Sequence, residues 1–180
     1  MVYVDMDGVV ANLHDFMSEK MFGNNIDNIT EVELAELRSL FKNKKKFLTY
    51  FPKGAEHLFY NLPPFPYNKD LINTITTYKE EYCILSRPSN LDLEGTKRAK
   101  INWVKNHLSF NPPKDIILVY DKTSNGRASS QNVLIDDWDS FLNAWREKGG
   151  HAIKYVAREF DCGKKVIEFI KNNLESISNK

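Results

Sequence analysis

The sequence predicts an α/β fold with three layers, in which a parallel β-sheet is covered by helices on both faces. Three observations predict it. Short runs rich in β-branched residues recur along the chain, and segments with helical spacing lie between them. The runs are continuously apolar, which is typical of strands buried on both faces. With 180 residues, the chain suits one domain with a full core and leaves room for a small inserted module.

Five runs are predicted to be strands, each bounded by turn residues or by helix-starting residues. They are VYVD (2–5), YCILS (82–86), DIILVY (115–120), NVLID (132–136) and HAIKYV (151–156). The helices between them would make right-handed crossovers. In open sheets of this kind, ligands bind at the carboxyl ends of the strands.

Three amphipathic segments are predicted to be helices of the main domain. They are GTKRAKINWVKNHL (95–108), SFLNAWREK (140–148) and DCGKKVIEFIKNNL (161–174). Each has one apolar stripe at helical spacing. The stripes consist of Ile101, Val104 and Leu108, of Phe141, Ala144 and Trp145, and of Val166, Ile167, Ile170 and Leu174.

An insertion is predicted between the first two strands. Asp5 and Ser86 are 81 positions apart, whereas a strand, helix, strand unit needs about 30 residues or a little more. Thr30 followed by Glu33 indicates a capping box at a helix start, and a proline cluster in NLPPFPYNKD would end the helical part before LINTITTY. We therefore expect residues 15–62, called the insert below, to form a small helical cap. The core would comprise residues 1–14 and 63–180.

The composition excludes several classes of protein. Lys and Arg total 25 and Asp and Glu total 24, so the net charge of +1 gives no global bias toward nucleic acid or an anionic membrane. Cys83 and Cys162 are too few for a disulfide framework. No run approaches the roughly 20 apolar residues of a membrane span, and the N-terminus lacks the pattern of a signal peptide. A cytoplasmic protein without a membrane partner is expected, and its oligomeric state is left open.

Polar residues follow the predicted strands at their carboxyl ends, which meet at one edge of a parallel sheet. They are Asp5 and Asp7 after the first strand, Ser86 and Arg87 after the second, and Asp136 and Asp137 after the fourth, with lysines nearby. Four carboxylates in one pocket would repel one another and resist ionisation. A hard divalent cation removes this repulsion, and Mg²⁺ is expected because it prefers oxygen ligands.

A metal beside a lysine would attract phosphate. Asp5 could then attack phosphorus as a nucleophile, while Asp7 protonates the leaving oxygen and later activates water. Ser86 and a lysine would hold the phosphoryl oxygens. Gly8 would allow a sharp turn that brings backbone N–H groups close to the phosphate.

These motifs resemble the haloacid dehalogenase (HAD) superfamily of phosphatases: DMDGVVA, then ILSRPS, then a lysine, then VLIDDW. Within it, the chain is most similar to the 5'(3')-deoxyribonucleotidases, through DMDGVVAN, LPPFPY, KINWVKNHL and DK before LIDD. The resemblance implies a Rossmann-like core with a helical cap after the first strand. It also implies Mg²⁺-dependent hydrolysis of nucleoside monophosphates through a phosphoaspartate.

The resemblance also implies residue roles. Asp5 would be the nucleophile and Asp7 the general acid and base. Ser86 would bind the phosphoryl group, with Arg87 as a further candidate. The metal would be held by Asp5, by Asp7 through its backbone carbonyl, and by one or both of Asp136 and Asp137. Lys100 and Lys122 both match lysine positions of the family; Lys122 is favoured because it follows the third strand.

Two alternatives remain at this point. SRPS, KINWVKNHL and IDDWDSFLNAWREKGG are similar to the phosphatase domain of polynucleotide kinase-phosphatases, which removes 3'-phosphates from nucleic-acid ends. In that case KNKKK (42–46), followed by Phe47, Tyr50 and Phe51, would line the path of a strand. The chain could instead be a non-catalytic binding module, or one that uses Asp5 only as a phospho-acceptor. No role is predicted for the four histidines.

Overall fold

The computed structural model describes residues 1–178, and a five-stranded parallel sheet lies at its centre. The strands are β1 (Val2–Val4), β2 (Tyr82–Ser86), β3 (Asp115–Leu118), β4 (Val133–Asp136) and β5 (His151–Lys154). Their order in the sheet is β3-β2-β1-β4-β5, and all four neighbouring pairs are parallel. The five predicted strands and the parallel sheet are therefore confirmed, with β1 in the middle.

Eight α-helices accompany the sheet within the described residues. They are α1 (Leu13–Phe22), α2 (Glu31–Ser39), α3 (Lys44–Tyr50), α4 (Gly54–Tyr60), α5 (Asn68–Lys79), α6 (Leu93–His107), α7 (Asp139–Glu147) and α8 (Gly163–Ser178). In the part of the chain that the structure describes, no helix combines the length and the apolar character that crossing a membrane requires.

The side chains of each strand alternate between two cores, one on each face of the sheet. On β1, Val2 and Val4 enter the larger core, which also takes its buried residues from α5, α6, α8 and the insert. Tyr3 faces the smaller core, where Leu142 and Trp145 of α7 pack. This arrangement is the predicted three-layer α/β fold.

The insert begins within α1 and contains α2, α3 and α4. The predicted capping box is present: Thr30 Oγ1 accepts a hydrogen bond from the Glu33 N–H (3.3 Å), and the Glu33 carboxylate accepts one from the Thr30 N–H (2.8 Å). At the end of the insert, the indole Nε1 of Trp103 on α6 donates to the Leu62 carbonyl at 2.7 Å. The division into a core and a cap of residues 15–62 stays a prediction, and the last two positions of the predicted core lie outside the described residues.

The predicted helical stripes are partly wrong. Val166, Ile170 and Leu174 of α8 are buried, but Ile167 is 41% exposed. The buried line repeats every four residues because α8 packs against α5 along a narrow face, and Ile167 points away from it. On α7 the fully buried side chains are Leu142 and Trp145, while Ala144 is only half-buried.

Candidate active site

The register of the sheet brings the first and fourth strands together at their carboxyl ends. Val4 lies opposite Ile135, so Asp5 follows at the level of Asp136. The Asp5 N–H donates to the Ile135 carbonyl at 2.9 Å, which extends the ladder by one residue and fixes the backbone of Asp5. Two acidic residues from distant parts of the sequence therefore stand side by side at the strand ends.

Lys122 compensates the charge of this pair. Its Nζ lies 2.6 Å from Asp136 Oδ2 and 2.8 Å from Asp5 Oδ1. The first contact is a hydrogen bond, whereas the angles of the second fall outside hydrogen-bond geometry. The ring of Phe141 covers the ammonium, with its centroid 4.5 Å from Nζ. Lys122 is thus a buried cation held between two carboxylates.

Lys100 forms a second, separate cluster with Asp7 and Ser86. Its Nζ donates to Asp7 Oδ2 and, at 2.9 Å, to Ser86 Oγ. Lys100 and Ser86 are fully buried, and the ring centroid of Phe59 lies 4.7 Å from Nζ. The sequence favours Lys122 as the phosphate-binding lysine, but Lys100 is the one that the structure places beside Ser86.

Three of the four predicted acidic residues could hold a metal ion together. Carboxylate oxygens of Asp5, Asp136 and Asp137 all lie within 4.8 Å of one another. Oδ1 of Asp5 is buried and accepts no hydrogen bond among the described residues, although it lies 2.8 Å from the Lys122 ammonium. Oxygen-rich acidic groups of this kind suit Mg²⁺. The carboxylate of Asp7 belongs instead to the Lys100 cluster, so only its backbone carbonyl remains as the predicted ligand.

Burial and mutual repulsion shift the pKa values of these acids upward. Burial, and then the charges of Asp5 and Asp136, raise the pKa of Asp137 to about 8. Burial and the charge of Asp5 raise the pKa of Asp136 to about 6, although Lys122 opposes the shift. Burial also raises the pKa of Asp7 against the effect of Lys100. Burial lowers the pKa of Lys122, but the charges of Asp5 and Asp136 outweigh this effect and hold the pKa above its ordinary value.

These shifts predict how stability depends on pH without a divalent cation. Asp137 ionises at its ordinary value of 3.8 in the unfolded chain but at about 8 in the fold. Between these two pH values the folded state therefore binds more protons than the unfolded state. The free energy of unfolding falls as pH rises from about 4 to about 8. Thermal unfolding at pH 5, 6.5 and 8 in EDTA should show a falling midpoint. Mg²⁺ should raise the midpoint most at pH 8, and Asp137→Asn should flatten both effects; a midpoint that rises over this range would contradict the shift.

Gly8 makes room for Asp137. Its φ of +84° is unfavourable for other residues, and a Cβ at this position would stand 2.1 Å from Asp137 Oδ2. The Gly8 N–H donates to the Ala11 carbonyl at 2.9 Å, so this amide is not available for a phosphate. Within residues 1–178 the N–H groups of Met6 and Asp7 have no acceptor, and they are the unpaired amides of this turn.

Arg87 lies outside both lysine clusters. Its side chain is exposed, whereas Ser86 and Pro88 on either side are buried. The guanidinium carbon stands 5.4 Å from the ring centroid of Tyr120, which is 40% exposed. The structure shows no hydrogen bond from Arg87 to the carboxylates or to Ser86 within the described residues.

Sequence reasoning missed three side chains at this site. The Nδ1 of His14, on α1, is 3.8 Å from Asp137 Oδ2, and burial lowers the pKa of His14 below its ordinary value. Phe59 and Phe141 cover the two lysines. The stripe of α7 indicates only that Phe141 packs inward, and no spacing in the sequence connects His14 or Phe59 to the acidic residues.

The aromatic residues after the basic run do not form an exposed stacking surface. Phe47 and Phe51 are buried, with ring centroids 5.1 Å apart, and Phe41 packs against Phe47. The Tyr50 hydroxyl donates to Glu36 Oε1 at 3.0 Å, and Lys46 pairs with the same oxygen. These contacts place the aromatic side chains in the core of the insert, as residues that stabilise it.

Solved structures of HAD-superfamily proteins share this fold. A HAD-superfamily hydrolase from Ehrlichia chaffeensis is 16% identical, with 96% of each chain covered and a TM-score of 0.50. An L-2-haloacid dehalogenase from Xanthobacter autotrophicus is 8% identical over 85% of this chain and 76% of that one, with a TM-score of 0.53. A HAD hydrolase from Bacillus subtilis, bound to magnesium, is 11% identical over 84% of each chain, with a TM-score of 0.52. This chain therefore has the α/β fold of these HAD-superfamily structures, with its acidic residues at the strand ends.

The family of the protein is identified by a match that covers the greater part of its sequence. Residues 1–158 match the model of a family described as 5' nucleotidase, deoxy (pyrimidine), cytosolic type C protein. The chain belongs to this family and is a phosphatase of the nucleotidase type, a phosphoric monoester hydrolase. No curated protein matches it.

Proposed function

We propose that this protein hydrolyses nucleoside monophosphates, with deoxyribonucleotides preferred, in a Mg²⁺-dependent reaction that passes through a phosphoaspartate on Asp5. The observation that carries the proposal is the pair of clusters at the strand ends: acids able to hold a metal on one side, and Lys100, Asp7 and Ser86 on the other. The family description, which names deoxy and pyrimidine nucleotides and a cytosolic type, supports the substrate class and a cytoplasmic location.

Asp5, Asp136 and Asp137 would hold the Mg²⁺, with the backbone carbonyl of Asp7 as a further ligand. A magnesium-bound HAD hydrolase of the same fold supports this choice of metal. When bound, the ion would neutralise the carboxylates and the negative charge of the phosphoryl oxygens. Lys122 neutralises part of the carboxylate charge, because its ammonium lies between Asp5 and Asp136.

In the first step, an Asp5 carboxylate oxygen attacks phosphorus. A bond forms between Asp5 and phosphorus, and the bond from phosphorus to the nucleoside oxygen breaks. Asp7 gives its proton to that leaving oxygen, and the raised pKa of Asp7 favours the protonated form that this role requires. Ser86, Lys100 and the unpaired N–H groups of Met6 and Asp7 would hold the phosphoryl oxygens.

In the second step, water hydrolyses the phosphoaspartate. Asp7, now ionised, takes a proton from the water, whose oxygen bonds to phosphorus as the bond to Asp5 breaks. The products are inorganic phosphate and the regenerated carboxylate of Asp5. The insert, acting as a cap, would exclude bulk water during the first step, because Phe59 on α4 already covers Lys100.

A panel assay tests the proposal. Phosphate release is measured from deoxyribonucleoside and ribonucleoside 5'- and 3'-monophosphates, and from oligonucleotides with a 5'- or a 3'-phosphate, in Mg²⁺ and in EDTA. We expect the monomers to be hydrolysed, and this release should occur in Mg²⁺ and not in EDTA. Preference for 3'-phosphorylated oligonucleotides would support a polynucleotide 3'-phosphatase instead. If the protein unfolds cooperatively but releases phosphate from none of these substrates, the result would support the non-catalytic binding module.

A further inference from the structure

Arg87 is an exposed cation without an acidic partner at the edge of the site. The chain has six arginines. Within the described residues, Arg98 and Arg158 pair with carboxylates, and Arg127 and Arg146 donate to carbonyl and side-chain oxygens. Only Arg38 and Arg87 have no such oxygen partner there. The guanidinium of Arg87 thus keeps all its N–H donors for a ligand.

The position of Arg87 is fixed by its neighbours. Ser86 lies opposite Leu118 in the pairing of β2 with β3, so Arg87 and Tyr120 follow these residues at the same edge of the sheet. Pro88 favours an extended backbone at Arg87, and both Ser86 and Pro88 are buried. The guanidinium lies over the Tyr120 ring, and a guanidinium on an aromatic face can still donate hydrogen bonds from its edge.

This arrangement is suited to an anion beside the reacting phosphate rather than to the reacting phosphate itself. The buried cluster of Lys100 and Ser86 provides the cation and hydroxyl for the latter. Arg87 stands one residue beyond Ser86, with its Cα about 3.8 Å from that of Ser86, and faces solvent. An edge of a guanidinium can bind a phosphate through two parallel hydrogen bonds.

We propose that Arg87, oriented by Tyr120, binds a second phosphate group of the substrate. This inference rests on the proposed function and sharpens its substrate class. A nucleoside 3',5'-bisphosphate or a short oligonucleotide with a terminal phosphate carries such a group. In both, the phosphate at Arg87 remains attached while the terminal phosphate is transferred to Asp5.

The test compares initial rates of phosphate release from thymidine 5'-monophosphate, thymidine 3',5'-bisphosphate and a 5'-phosphorylated dithymidylate. We expect a higher kcat/KM for substrates with a second phosphate, and this advantage should shrink as NaCl is raised. The ratio of interest is the kcat/KM for a substrate with a second phosphate divided by the kcat/KM for thymidine 5'-monophosphate. Arg87→Gln should reduce this ratio by about 10-fold, since a hydrogen bond to a charged group is lost. Arg87→Lys and Tyr120→Leu should reduce it in part. Arg38→Gln, which removes the other unpaired and exposed arginine, is the matched control and should leave the ratio unchanged.

The outcomes separate the inference from the function on which it rests. If kcat/KM is higher for the dinucleotide alone and this advantage is lost in Arg87→Gln, the second group is an internucleotide phosphate. If kcat/KM is higher for the bisphosphate, the second group is a phosphate of a nucleoside bisphosphate. A wild-type ratio near one, or an equal fall for all substrates in Arg87→Gln, overturns the inference while monophosphate hydrolysis stands. A wild-type protein that hydrolyses none of the substrates overturns both.

Discussion

Asp5→Asn is expected to abolish phosphate release, lowering kcat by at least about 10³-fold, because the amide cannot act as the nucleophile. The side chain keeps its size, and the backbone bond from Asp5 N–H to Ile135 is untouched, so the fold should persist. Measuring release under saturating substrate and Mg²⁺ gives kcat. Mass spectrometry of acid-quenched protein should detect a phosphorylated peptide containing Asp5 in the wild type and none in the variant.

A matched control is available at the same edge of the sheet. Asp139 is an exposed residue at the start of α7, paired with Lys154 at 2.7 Å. Asp139→Asn removes an acid two positions from Asp137 without touching either lysine cluster, and it should retain activity within about threefold, since exposed ion pairs contribute little. Undiminished release in Asp5→Asn would refute the phosphoaspartate mechanism, whatever the control shows.

Lys122→Met should have the largest effect on stability. Lys122 is buried and stands between Asp5 and Asp136. Removing a buried partner leaves the opposite charges uncompensated, which costs about 3–5 kcal/mol of the free energy of unfolding. The loss should be larger at pH 8 than at pH 5, because burial and the charge of Asp5 raise the pKa of Asp136 to about 6, so Asp136 can take up a proton at the lower pH. Urea unfolding at both pH values, without metal, measures it.

Two comparisons sharpen this prediction. Lys154→Met removes an exposed lysine that pairs with Asp139, and it should change the free energy of unfolding by less than about 1 kcal/mol. Saturating Mg²⁺ should restore part of the stability lost in Lys122→Met, since a cation again stands among the carboxylates. Equal stability of Lys122→Met and wild type at pH 8 would show that Lys122 does not compensate these acids.

The sheet was predictable because its signal is local. Five β-branched runs, each bounded by turn residues, coincide with the five strands. The acids at the strand ends were predictable too, since parallel strands place their carboxyl ends at one edge. Thr30 and Glu33 likewise form a motif that needs no other part of the chain. Such features depend on backbone geometry and near neighbours.

The side-chain pairings were not predictable in the same way. Lys100 lies on α6, 14 residues after Ser86, and reaches the site only because of how that helix packs. Its partners, and the coverage by Phe59, depend on the packing of α4 against α6. The exposure of Ile167 also depends on helix packing. The hydrophobic stripe of α8 does not show how narrow the face that packs against α5 is. Arg87 is predicted as a phosphate ligand from its place after Ser86, but its exposed guanidinium lies over Tyr120, outside the cluster of Lys100 and Ser86.

The hydrogen bond from Trp103 to Leu62 has a mechanical consequence. Lys100 and Trp103 lie on the same helix, about one turn apart, so one short stretch of α6 contacts both the end of the insert and Ser86. The position of Lys100 beside Asp7 and Ser86 is therefore coupled to the position of Leu62 through α6. The exposed ion pair between Asp27 and Arg158 also joins the insert to the core, but it should contribute less to holding the insert than the buried bond from Trp103.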